Sequence, residues 1–76
     1  MAVDVSPEFS TAIEYNSSGM ELYLGESTPG TAQDASGWRI RKFTYNSNNR
    51  MTKQEWASGN NMFDKIWDSR ATYAYS

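Results

Sequence analysis

The chain is expected to fold as an all-β domain, a small antiparallel barrel or sandwich of four to five strands with one short helix near the C-terminus. Three observations predict this. Met20, Leu22 and Leu24 alternate with Glu21 and Tyr23, the period of two that turns one apolar face inward. Residues 38–46 (WRIRKFTYN) are β-branched or aromatic at most positions and have the strongest strand preference in the chain. The apolar runs are separated by turn formers: Ser17-Ser18-Gly19, Pro29-Gly30 and the NSNN of residues 46–49.

Residues 1–10 carry isolated apolar side chains at Val3, Val5 and Phe9, and Pro7 interrupts any hydrogen-bond ladder, so they read as an extended N-terminal arm. Residues 11–76 then form a single β domain. Residues 12–16 and 20–25 make a first hairpin around Gly19, which can supply a positive φ. Residues 26–37 (ESTPGTAQDASG) are small and polar and read as an exposed loop.

The second hairpin pairs residues 38–46 with residues 50–56 across the NSNN turn. Trp38 and Ile40 share one face while Phe43 and Tyr45 share the other, which implies a bulge near Lys42 or a strand apolar on both faces. Asn60 or Asn61 can cap a short helix over residues 61–68, with Phe63, Ile66 and Trp67 on one face. Tyr73 and Tyr75 alternate with small residues in a closing strand over residues 71–76.

Composition bounds the function. Seventy-six residues make one domain, and a domain of this size hides only about 60% of the surface its unfolded chain exposes. With neither cysteine nor histidine, disulfides and the common zinc sites are excluded as reinforcement, which leaves subunit association, expected here as homo-oligomerisation. Three Trp, five Tyr and three Phe are a heavy aromatic load for so small an interior, divided between core and contact surface in a proportion the sequence leaves open.

Seven Lys and Arg against nine Asp and Glu give a net charge of −2, which disfavours nucleic acid as the main partner. The patch of Arg39, Arg41 and Lys42 among Trp38, Ile40 and Phe43 resembles a single-strand platform only superficially. Its arginines equally suit the polar side of a half-buried strand, or carboxylates across a subunit boundary. No apolar run approaches the length of a membrane span, and residues 1–10 lack the charged and apolar regions of a signal peptide, so synthesis in a cytoplasm is expected.

Catalysis is not expected. Ser-His and Cys-His nucleophilic arrangements need residues the chain lacks. Glu26, Asp34, Asp64 and Asp68 are the candidates for a carboxylate pair, but Asp64 and Asp68 sit among Lys65 and Arg70 as a solvated face does. The spaced acidic loop of an EF-hand and Gly-rich phosphate loops are missing, so no cofactor or metal is expected. Asn16-Ser17-Ser18 matches a glycosylation acceptor, which has no meaning without secretion.

Several words of the sequence fall in a recognisable order: Tyr23-Leu24-Gly25-Glu26, Thr28-Pro29-Gly30-Thr31, Trp38-Arg39-Ile40-Arg41-Lys42, Trp56-Ala57-Ser58-Gly59-Asn60, and residues 63–71 (FDKIWDSRA). Over residues 20–75 this pattern resembles small structural proteins of tailed bacteriophages. The resemblance implies a virion location, synthesis in the host bacterial cytoplasm, and other virion proteins as partners. It implies no catalytic or ligand residues. The expected function is therefore a non-catalytic structural subunit, in head decoration, neck or tail, acting through protein-protein contacts. Alternatives are a host-surface or carbohydrate-binding module of a tail fibre, or a small phage protein that binds a host enzyme. Interface candidates are Val3, Val5, Phe9, Trp38, Arg39, Arg41, Tyr45, Trp56, Trp67 and Tyr73.

Overall fold

The computed structural model describes residues 8–76, so Val3 and Val5, and with them most of the expected arm, lie outside the described residues. The fold is all-β: β1 (Ser10–Tyr15), β2 (Glu21–Ser27), β3 (Ser36–Tyr45), β4 (Met51–Trp56) and the two-residue β5 (Lys65–Ile66) form one antiparallel sheet, followed by a 3-10 helix over Trp67–Thr72. The strands run in the order β1-β2-β3-β4, and β5 pairs with β3. The sheet does not close, so the barrel among the expected forms is not the one adopted. β3 is the axis: β2 lies along one edge, and its other edge is shared by β4 at residues 41–45 and β5 at residues 36–38.

The two hairpins use one turn device. Asn16 Oδ1 accepts from the amides of Ser18 (2.9 Å) and Met20 (3.0 Å), and the Asn16 amide donates to the Met20 carbonyl (2.7 Å). Asn46 repeats this with Asn48 (2.9 Å) and Arg50 (3.1 Å), and its amide donates to the Arg50 carbonyl (2.9 Å). The fourth turn residue has positive φ in both, Gly19 at 81° and Asn49 at 60°, as the left-handed region favours Gly and Asn. An extra residue follows each turn, Leu22 against Glu14 and Tyr15, and Thr52 against Thr44 and Tyr45. No bulge falls at Lys42: beyond the two inserted residues the register shifts only between Ser36 and Trp38, and β3 is instead apolar on both faces, with Trp38 and Ile40 buried on one and Phe43 on the other.

Those bulges decide which side chains share a face. Leu22 packs against the main core cluster, whereas Leu24 pairs with Ile13 and Arg41 on the opposite side. The expected inward Met20, Leu22, Leu24 stripe is not formed. Tyr23, expected outside, is 9% exposed within the core, because β2 is covered on both faces.

The main core cluster covers one face of the sheet, while Leu24 and Phe43 are buried on the other beneath its longer side chains. Ala12, Gly25 and Ile40 lie side by side across β1, β2 and β3, and Ala57 continues the row through its amide bond to the Ile40 carbonyl (2.9 Å). Ala12, Gly25 and Ala57 are small, so the row forms a trough, and the indole of Trp67 fills it over Gly25. Trp38 flanks Trp67 (ring centroids 6.0 Å apart), and Tyr23 packs on Tyr75 (5.6 Å). Arg70 lies over the Trp67 ring (4.6 Å) while its Nε donates to Glu14 Oε1 (2.6 Å), which ties the 3-10 helix to β1.

The helix sits later than the expected 61–68. Asn60 Oδ1 accepts from the Met62 amide and from Lys65 Nζ, a turn rather than a cap, and Lys65 and Ile66 then pair with β3. Phe63 is 40% exposed and Trp67 5%, so they do not share a buried face. The expected loop at 26–37 is shorter, since Glu26 and Ser27 end β2 and Ser36 and Gly37 open β3. Trp38 Nε1 donates to the Ala32 carbonyl (3.0 Å) and pins that loop to the core. The closing strand reduces to an Ala57 to Tyr75 bridge, reinforced by reciprocal bonds between Trp56 and Ser76 (3.1 and 3.2 Å).

Two tyrosines make the fold sensitive to alkali. Burial, then the neighbouring Tyr23 and Tyr73, push the Tyr75 phenol well up, with Arg70 opposing. Burial, then the Glu21 carboxylate, raise Tyr45. Both hydroxyls donate to carbonyls, Tyr45 to Glu21 (2.6 Å) and Tyr75 to Arg70 (2.7 Å), which a phenolate cannot do. Because the folded pKa lies above the unfolded value of 10.0, this stabilisation is complete below pH 10 and is lost as pH rises through the folded values. The midpoint of thermal unfolding is expected to fall steadily above pH 10. A flat profile there, with phenolate absorbance titrating at the free-tyrosine pH, would contradict the assignment.

Candidate functional site

The other face of the sheet carries no strand or helix among the described residues; its cover is its own side chains. Alternation along β3 sets Arg39, Arg41 and Phe43 on this side, opposite to Trp38 and Ile40. Register brings Trp56 beside Arg41, and Leu24 and Ile13 in line with it.

The arginines interleave with the rings. Arg39 lies over Phe63 (4.6 Å), Phe9 (5.3 Å) and Trp56 (5.7 Å), and Arg41 lies over Trp56 (5.3 Å) and Phe43 (5.8 Å). Phe9 and Phe63 stack at 5.4 Å. The result is a ladder across the sheet in which aromatic side chains and guanidinium groups alternate. The planar, weakly hydrated guanidinium suits such stacking, and a lysine at either position would not reproduce it.

The two arginines differ in their charge partners. Arg39 Nε meets Glu26 Oε1 at 3.0 Å, and Glu26 is 6% exposed. Their pairing across β2 and β3 explains how a carboxylate is accommodated at that depth. Arg41 donates from Nη1 to Gln54 Oε1 (3.3 Å) and has no ion pair with a described carboxylate, while its buried Nε finds no hydrogen-bond partner. Arg41 is the open end of the ladder.

Removing one member of the buried pair should cost more than neutralising it. Arg39→Ala leaves Glu26 charged and uncompensated, an expected loss of about 2 kcal/mol given partial solvent access. Arg39→Ala in a Glu26→Gln background is expected to cost less than half of that. A double-mutant cycle in urea measures the coupling, and additive losses would show that the rings alone hold Arg39.

The interface candidates separate by face. Phe9, Arg39, Arg41 and Trp56 meet on the open ladder. Trp38, Trp67 and Tyr73 belong to the covered core; Tyr73 also accepts the Ile66 amide through its hydroxyl (2.8 Å). Tyr45 anchors the start of β2. Lys42, grouped with the arginines by sequence, points to the covered face over Tyr75 (5.9 Å). Phe63 and Gln54 also belong to the ladder without a sequence signal for it, since the spacing of Phe63 predicts a helix stripe and Gln54 has no motif.

The carboxylates do not converge. Glu26 is committed to Arg39 and Asp64 to Lys65, and Asp68 lies in the first turn of the 3-10 helix. No group of three or more potential metal ligands occurs among the described residues. No helix of the described chain is long and apolar enough to cross a membrane. No protein-family model, curated protein or solved structure matches the chain.

Proposed function

We propose that the chain is a non-catalytic structural subunit of a bacteriophage virion and acts through protein-protein contact on the open face of its sheet. The observation that carries this reading is the asymmetry of the two faces. One is closed by the chain's own C-terminal segment, while the other ends in a ladder of Phe63, Arg39, Trp56 and Arg41 over which no further strand or helix lies among the described residues. Aromatic and arginine side chains held by a sheet lose little entropy on binding, which is why they recur at the centres of protein interfaces.

The resemblance of residues 20–75 to small structural proteins of tailed phages supplies the virion location. It joins the physical reading at one point: a 76-residue domain without disulfide or metal gains from burial against neighbours. The part of the particle is one to which many copies can be added, such as the head surface, neck or tail. A carbohydrate-binding role draws less support, because both guanidinium groups lie over Trp56 and compete with a sugar for its ring.

Quantitative mass spectrometry of purified virions that encode the chain tests the proposal. The expected result is a fixed copy number per particle, in multiples that match a symmetry axis. Particles must also lose the protein when Arg41→Glu is introduced and folding is unchanged. Absence from particles, with the protein soluble in infected cells, would overturn the reading in favour of a host-enzyme binder; glycan-array binding lost on Trp56→Ala would favour the carbohydrate module.

A further inference from the structure

The two outer edges of the sheet are finished differently. On β4 the edge is interrupted by the inserted Thr52, carries Lys53, and is closed at its end by the hydrogen bonds of Trp56 and Ser58 to residues 74–76. Charge, bulging and covering are the three devices that keep an edge strand from pairing with another chain. β1 is less protected: its one charge, Glu14, is neutralised by Arg70, STAIEY contains no Lys, Arg or Pro, the inserted residue of its hairpin belongs to β2, and no described strand lies along its outer side.

The direction of each free amide follows from the turn. The Asn16 amide points across the hairpin to the Met20 carbonyl, so by alternation the amides of Glu14 and Ala12 also face β2. Those of Thr11, Ile13 and Tyr15 therefore point outward. They form a regular row of donors beside a β-branched pair, Thr11 and Ile13, and a tyrosine that is 55% exposed.

We propose that this edge binds a second copy of the chain, β1 pairing antiparallel with β1 about a two-fold axis at Ile13. This proposal is independent of the virion reading. The axis at Ile13 sets Ile13 beside its own copy, Thr11 beside Tyr15, and Ala12 beside Glu14. Residues directly opposite in an antiparallel pair share a face, so the open faces of both subunits join into one. Glu14 is the one charged residue of β1; in this register it meets Ala12 instead of its own copy, and it stays paired with Arg70 of its own subunit (2.6 Å). No like charges are opposed. A register that put Glu14 against Glu14 would be disfavoured on that ground, so charge selects the alignment.

A six-residue strand pair buries well under the ~800 Å² per partner of a standard interface, so the dimer is weak and is sought between about 1 μM and roughly 100 μM. The test combines sedimentation equilibrium of the whole chain over that range with residue-resolved amide hydrogen exchange. The expected result is a monomer-dimer equilibrium in which the Thr11, Ile13 and Tyr15 amides gain about tenfold protection with concentration, while the outer amides of β4 do not. Thr11→Pro removes one outward donor and no bond to β2, and is expected to abolish the dimer with the melting curve of the monomer retained. Thr11→Lys serves the same purpose if the proline variant fails to fold. A monomer at every concentration overturns the proposal. So does a dimer in which these three amides exchange as in the monomer, or their protection in a monomer independent of concentration.

Discussion

Trp67→Ala is expected to abolish cooperative folding. The indole is 5% exposed and fills the trough above Gly25, between Trp38 and the Arg70 guanidinium. Truncating a buried aromatic side chain typically costs about 3–5 kcal/mol, and a domain of this size has roughly that much stability in total. The loss also removes the surface on which Arg70 rests, and with it the tie between the 3-10 helix and Glu14. Far-UV circular dichroism and thermal denaturation check the outcome. A sigmoidal transition within about 5 °C of the parent would show that the trough closes around the gap, which a small loss of at most ~1 kcal/mol would require.

Gly25→Ala reaches the same contact from the sheet side. A Cβ on residue 25 would lie 2.6 Å from Trp67 Cε3 and 2.9 Å from Cζ3, with Trp38 Cε3 at 3.1 Å. Both rings are buried and each blocks the other's retreat, so the added methyl cannot be absorbed by one flexible side chain. Overpacking of this kind costs about 1–3 kcal/mol, and Gly25→Val is expected to exceed that range. The clash makes the effect conditional on its partner: in a Trp67→Leu background the additional cost of Gly25→Ala is expected to fall to less than half. Equal costs in both backgrounds would mean that glycine at residue 25 answers a backbone requirement instead of a steric one.

The hairpins were legible because their determinants are local. Gly19 and the NSNN turn announce the reversals, and residues 38–45 have strand preference at most positions. What the sequence concealed depends on contacts made at a distance. A period-two stripe over residues 20–24 could not reveal the inserted Leu22, since a bulge is fixed by the partner strand as much as by its own residues. The helical spacing of Phe63, Ile66 and Trp67 predicts a helix starting six residues before the observed one, yet β3 offers Lys65 and Ile66 a free edge, and pairing there overrides local preference.

The candidate site was half legible for a similar reason. Arg39, Arg41, Trp56 and Phe9 were identifiable as polar and aromatic residues suited to contact. Trp38, Trp67 and Tyr73 have the same chemistry and differ only in which side of the sheet they meet. Glycine at residue 25, the residue that lets Trp67 into the core, gave no signal, because a glycine within a strand can mark a bulge, a bend or a close approach equally well.

The matched Asn-led turns bear on the sequence of events during folding. Each hairpin closes over a handful of residues and carries its own register, so both can form within microseconds of collapse, well before any contact that spans the chain. The trough over Gly25 gains its indole only when residues from beyond β5 arrive. Any opening of the tail over residues 67–76 accordingly bares Tyr23, Trp38 and Ile40 to water, and the firmness with which that tail is held sets how far this sticky surface is offered to other chains.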